Sequence, residues 1–208
     1  FRSIQAADGN LCGNATVFER MYCHAMATCA VSEAYAMTKD QRLEAPVKRA
    51  IAYCIRAQDR VGGGWRYRPG DAGDTSQLGW QVMALKSAEL AGIAIPSETR
   101  SGIHRFLASV AQGPSGGLAC YKPGHRVTHT MTAEALVCRQ FLGITDTRAK
   151  SAEAGNYVLS ELPGQGTDNV YYWYYGTLGM FQLQDNHWEQ LNKSLQTALL
   201  TTQRIDGD

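Results

Sequence analysis

The residues of this sequence best placed for chemistry are two histidines and a run of aromatics. His24 and His129 fall in one column of an internal repeat, together with Leu78 and Trp173, near the starts of successive helices. Two imidazoles and an indole facing one mouth would make a site without naming its reaction, while a histidine on an apolar face also reads as a satisfied core residue. Tyr171-Tyr172-Trp173-Tyr174-Tyr175 is the densest aromatic stretch. Consecutive aromatics on a helix point in every direction, so some must pack and some can line a cavity. Tyr172, Trp173, Tyr174 and Tyr175, with Trp80, are the candidate ligand-binding residues, for an apolar small molecule. Arg60, Arg66 and Arg68 gather near a Gly-rich turn and could hold an anion such as a diphosphate or form a solvated rim. Gly62-Gly63-Gly64 is no phosphate loop, because no strand precedes it and no GK[ST] follows. Spacing alone assigns no Ser–His–acid triad.

The elements that position these residues come from the repeat. Segments starting at Met26, Trp80, Met131 and Tyr175 stack with offsets of 54, 51 and 44 residues. A small-residue column runs through Ala30, Ala84, Ala135 and Gly179, marking repeated close packing. Each repeat reads as two helices. The second is amphipathic, as in Val47, Ala50, Ile51, Cys54 and Ile55, with Pro46 near its start. Ser97 is the expected cap of the next such helix, and Asn186 with Glu189 forms a capping-box-like start for the last. The first helix is apolar nearly all round, as in Leu78, Trp80, Val82, Met83 and Leu85, so it is buried on both sides. The pattern predicts about eight helices in four hairpins, an inner and an outer layer, and no strand. The repeats cover roughly 9–58, 59–112, 113–165 and 166–208, as one repeat domain.

Composition bounds the functions. The 208 residues are 44% hydrophobic and 19% charged, an ordinary globular balance. Twenty Lys and Arg against 19 Asp and Glu leave a formal charge of +1, which removes the electrostatic case for a nucleic-acid partner. No apolar run reaches transmembrane length. The six cysteines include no CxxC pair and no zinc-finger spacing, so no structural metal is expected. They read as buried small hydrophobes of a reducing compartment, favouring the cytoplasm.

The turn between the first two hairpins carries a recognisable pattern: Arg49-Ala50, Tyr53, Gln58, Gly62-Gly63-Gly64 and Trp65. This resembles the QW repeat of squalene and oxidosqualene cyclases, in which a Gln ends the outer helix before a Gly-rich turn and a Trp. A Gln amide can tie off open backbone groups at a helix end, with the Trp stacked over it. The later copies are degraded. The second keeps Phe106, Leu107, Gln112 and Gly116-Gly117 but has Leu118 for Trp. The third keeps Tyr157. The fourth keeps Gln203 and Gly207. The resemblance spans the chain and extends to the terpenoid cyclase and protein prenyltransferase superfamily. It implies an all-α, α/α-toroid-like array, here a partial ring and a fragment of a larger protein, completed by further chain or by a partner.

The resemblance also implies where chemistry would sit. Squalene–hopene cyclases protonate substrate with the middle Asp of a DxDD motif followed by Thr. Here Asp71-Ala72-Gly73-Asp74-Thr75 is similar, but Gly73 holds the acid's place and Asp74 is an ideal helix cap. Prenyltransferase β-subunits hold zinc with an Asp, a Cys two residues on, and a His. Asp74, Ser76 and His129 are similar, with Ser76 replacing the thiolate, and Ser is a poor zinc ligand. The weak catalytic candidates are therefore Asp74, His129 and His24, with no metal or cofactor implied. The expected function is a repeat domain binding an isoprenoid-type ligand. The alternatives are a non-catalytic repeat module of a larger protein and, last, a zinc-dependent prenyltransferase-like enzyme.

Overall fold

The computed structural model describes residues 3–166 and 168–204. Among them are eight α-helices: α1 (Arg20–Thr38), α2 (Gln41–Ala57), α3 (Thr75–Leu90), α4 (Ser97–Val110), α5 (His129–Phe141), α6 (Arg148–Leu159), α7 (Val170–Leu183) and α8 (Asn186–Thr202). The fold class is all-α. Where the sequence predicts no strand, two residues of β1 (Ala111–Gln112) pair antiparallel with β2 (Leu118–Ala119). The chain forms two compact units, Phe1–Val110 and Ala111–Asp208, each with two helical hairpins.

Polar side chains set the helix starts. Asp40, Asp74, Thr128, Thr147, Asn169 and Asp185 each accept a first-turn N–H at the heads of α2, α3, α5, α6, α7 and α8. Three expected boundaries shift. Pro46 lies in the second turn of α2, since Asp40 starts that helix earlier. Ser97 is the first residue of α4, and the Pro96 carbonyl takes the Arg100 N–H. Asp185 rather than Asn186 caps α8.

In the first unit α1 lies against both α2 and α3. The helix α3 is buried around most of its circumference, through Gln77, Leu78, Gly79, Ala84 and Ser87. By contrast α2 buries one stripe, Val47, Ala50, Ile51 and Cys54, as its 3–4 spacing predicts. The second unit repeats the plan. There α5 packs on α7, α6 on α5, and α8 on α7.

A Gly-bearing turn opens each of the first three hairpins and sits on the backbone of that hairpin's second helix. A Cβ at Gly9 would collide with the Arg49 carbonyl, one at Gly63 with the Gly102 carbonyl, and one at Gly117 with the Lys150 carbonyl. Glycines 9, 63 and 117 are 54 residues apart. So are Asp74 and Thr128, the caps of α3 and α5. The Leu11 N–H donates to His24 Nδ1 and the Ala119 N–H to Thr132 Oγ1, each at 3.0 Å across 13 residues. The offset between the second and third copies is therefore 54, not 51. In the corrected register Cys138 replaces Ala135 in the small-residue column, and Thr132 replaces His129 in the histidine column.

Candidate functional site

The candidate locus begins at the turn that ties α2 to α3. Gln58 ends α2 in an extended conformation, and its Nε2 donates to the carbonyls of Gly63 (2.8 Å) and Thr99 (3.1 Å). Trp65 is fully buried, and its Nε1 donates to the Cys54 carbonyl in the last turn of α2 (2.8 Å). Gln58 and Trp65 thus close a helix end and hold the next turn. Gly63 completes it at φ 85°, a left-handed conformation suited to glycine.

That turn leads to Asp74, which is completely buried. Its Oδ1 accepts the Gln77 N–H at 2.8 Å, and its Oδ2 lies 3.5 Å from Arg66 Nε. The Asp74 N–H donates to the Trp65 carbonyl (3.0 Å), holding residues 73–74 against 64–65. Gly73 is the consequence. A Cβ there would lie 2.6 Å from Gly64 Cα and 2.9 Å from Trp65 N, both backbone atoms. No side chain fits where the resemblance would place the acid. Ser76, at the thiolate position, shares a short hydrogen bond with the Tyr22 hydroxyl. Trp80, further along α3, is half-buried.

His24 is also a packed residue. It is fully buried in α1, with Nδ1 accepting the Leu11 N–H. The ring proton is therefore assigned to Nε2, which faces Cys54 Sγ (3.2 Å) and Thr28 Oγ1 (3.4 Å). Desolvation pulls the imidazole down to about 4, and burial pushes the Cys54 thiol up to about 12. A neutral imidazole beside a protonated thiol is no nucleophilic pair. The corrected histidine column, His24, Leu78, Thr132 and Trp173, is buried throughout.

In the second unit, His129 is the first residue of α5. Its Nε2 meets Ser160 Oγ and its Nδ1 meets Glu161 Oε2, both at 2.9 Å. The ring stacks on Tyr157 with centroids 4.2 Å apart and 4° between planes. Ser160, His129 and Glu161 stand in the order of a hydroxyl–imidazole–carboxylate triad, which sequence spacing did not reveal. The surroundings oppose catalysis. Ser160 caps the C-terminus of α6 and its Oγ donates to the Tyr157 carbonyl (2.7 Å). The negative end of a helix destabilises a forming oxyanion. The geometry suits a latch between the start of α5 and the end of α6.

The aromatic run is mostly interior. Tyr172 and Tyr175 are fully buried and Trp173 nearly so. The Tyr172 hydroxyl donates to the Val158 carbonyl, and Tyr171 Oη donates to buried Glu134 (3.2 Å). Burial raises the Tyr172 and Tyr175 hydroxyls above their ordinary range. Tyr174 alone of the four candidates is exposed. Tyr172, Trp173 and Tyr175 are thus core residues, where the sequence places them at a ligand, because their side chains are buried in the packed interior.

The second Gly-rich turn uses a different tie. Gln112 lies in β1, not at a helix end, and its Nε2 donates to the His125 carbonyl (2.8 Å). Glu153 on α6 takes over the anchoring, accepting from the Gly117 N–H (2.6 Å) and the Ser115 N–H (3.2 Å). Sequence reasoning missed Glu153, since nothing local marks it.

One cavity touches the Asp74 region. About 390 Å³ in volume, it is lined by Val17, Phe18, Arg66, Tyr67, Arg68, Asp71 and Ala72. The Phe18 and Tyr67 rings meet edge to face at 5.2 Å, and the Arg66 guanidinium lies 4.8 Å from the Tyr67 centroid. The described residues hold no cluster of three or more His, Cys, Asp or Glu able to bind a metal. No described helix is long and apolar enough to cross a membrane. All six cysteines are free thiols. Comparison with models of known families, with curated proteins and with solved structures finds no match to this chain.

Proposed function

We propose that the chain is a non-catalytic α/α repeat module of the squalene cyclase and prenyltransferase type, acting by presenting helical surfaces to other proteins. The observation that carries this is Gly73: the turn backbone at Gly64 and Trp65 occupies the space an acid side chain would need. The neighbouring positions are engaged too, with Asp74 capping α3 beside Arg66 and Ser76 bonded to Tyr22. The test is incubation with squalene and with isoprenoid diphosphates, followed by product analysis. No conversion is expected, and turnover of either class overturns the reading.

The Phe18–Arg68 cavity favours a second reading, an isoprenoid-type ligand bound without chemistry. Its volume is within the usual range of small-molecule sites. An apolar body would lie on Phe18 and Tyr67, with an anionic head near Arg68. An isoprenoid diphosphate should then raise the melting temperature of wild type and not of Arg68→Glu. Equal behaviour of the two proteins rejects it.

A further inference from the structure

The α7/α8 edge leaves large apolar side chains exposed at register positions that in other helices are small and buried or polar. The repeat places Asp74, Thr128 and Asn169 as equivalent caps, with Arg20 in line 54 residues before Asp74. Five residues after the cap, α1 and α5 carry Ala25 and Ala133, both 0% exposed, whereas α7 carries Tyr174 at 40%. Twelve residues after it, α1 has buried Ser32 and α3 and α5 have half-buried Lys86 and Gln140, whereas α7 has Phe181 at 51%. Midway lies half-buried Leu178.

The outer helix shows the same feature. α8 ends at Gln203 with φ −60° and ψ 122°, matching Gln58 at the end of α2 with φ −63° and ψ 135°. Gln58 spends its amide on the following turn and on the following outer helix. Aligning the two glutamines sets Leu199 and Leu200, 48% and 71% exposed, opposite buried Cys54 and half-buried Ile55.

The packing rule between successive inner helices is visible in the second unit. A Cβ on Gly179 of α7 would meet the Leu136 and Val137 side chains of α5, at 3.1 and 3.4 Å. Large side chains of one inner helix therefore fill the small-residue column of the next. The member of that column in α1 is Ala30, which is exposed, with half-buried Cys23, Ala27 and Ala34 along the same stripe.

We infer that the α7/α8 face binds the α1 face of a second copy of this chain, head to tail, with Leu178 and Phe181 seated on the Ala30 stripe. The inference rests on the interaction-module reading and names its partner. The contact is heterologous, so it leaves one edge of each type open and can propagate.

Light scattering with size-exclusion chromatography tests it on the full chain, at up to about 100 μM, well above a micromolar Kd. Wild type is expected to gain mass with concentration. Phe181→Glu and Ala30→Arg, both at exposed positions, are each expected to stay monomeric. Each retains one intact edge, so mixing them should restore a 1:1 dimer that grows no further. Leu200→Lys should weaken association by at least tenfold, and circular dichroism would show each variant folded. A wild type monomeric throughout, or variants that associate as wild type does, overturns the proposal. Neither outcome touches the non-catalytic reading, which fails only on turnover.

Discussion

Placing a methyl at position 73 should destabilise the first unit severely. An ideal Cβ on Gly73 stands 2.6 Å from Gly64 Cα and 2.9 Å from both Gly64 C and Trp65 N. Carbon contacts settle near 3.5 Å or beyond, so residues 64–65 and 73–74 must part by about 1 Å. The Asp74 N–H bond to the Trp65 carbonyl, now 3.0 Å, would break. Its loss costs about 1 kcal/mol, and overpacking a fixed backbone adds about 1–3 kcal/mol. Gly73→Ala should therefore cost about 2–4 kcal/mol, or about 5–15 °C in melting temperature for a protein of this size. Gly70→Ala is the control, since its φ of 79° is left-handed but nothing lies within 4 Å of its Cβ. That variant should lose only the conformational cost, about 1–2 kcal/mol. Urea unfolding of wild type and both variants provides the comparison. If Gly73→Ala comes within about 0.5 kcal/mol of wild type, the scatter of an ordinary surface substitution, the Gly64 and Trp65 backbone does not exclude a side chain at position 73 and the reasoning fails.

Acid should act through His24. Its folded value of about 4 lies below the ordinary 6.5, so the unfolded chain binds a proton that the native state refuses between those values. Stability is full above pH 6.5 and falls as pH drops toward 4, by about 3 kcal/mol from this group; His24→Gln should flatten that part of the unfolding profile, and parallel profiles would remove His24 as the cause. Gln58→Ala strips two carbonyls, Gly63 and Thr99, of their donor, and should cost about 2 kcal/mol in urea unfolding. Glu153→Ala should speed hydrogen exchange at the Ser115 and Gly117 amides at least tenfold, the equivalent of about 1.4 kcal/mol; unchanged exchange there would mean that the carboxylate does not hold the turn.

Local chemistry made much of this fold legible. Asp74 reads as a cap because a carboxylate before an apolar helix has one obvious partner, the N–H groups of the first turn. The stripe of α2 reads as an outer face because its period is helical. Pro46 misled, because proline tolerates the first turn best, yet here it sits one turn further in. The triplet shift that moved His129 out of the histidine column was invisible for a different reason. Small and apolar residues recur about every three or four positions on such helices, so a slip of one turn preserves the pattern. Tertiary contacts fix the register: the bonds of Leu11 to His24 and Ala119 to Thr132, and the approach of Gly9, Gly63 and Gly117 to the outer helices. Ser160 and Glu161 met His129 unannounced because 31 residues separate the hydroxyl from the imidazole and no periodicity links them.

The two Gly-rich turns reach one geometry by different ties. Each turn must be pinned to an outer helix, or its glycines lose the close backbone approach that the fold uses. At residues 58–65 the pin comes from within the motif, through the Gln58 amide and the Trp65 indole. At residues 113–118 Leu118 stands where the first turn has Trp65 and Gln112 donates to His125, yet the turn is held from outside by Glu153. A carboxylate accepting two N–H groups replaces an amide donating to two carbonyls, so the polarity of the tie is inverted while its mechanical role persists. Position 73 has no such freedom, because the Gly64 backbone fills the space of any side chain there. Two turns of the same backbone geometry can therefore be held by different residues, which is why the pattern at residues 58–65 does not announce the second turn.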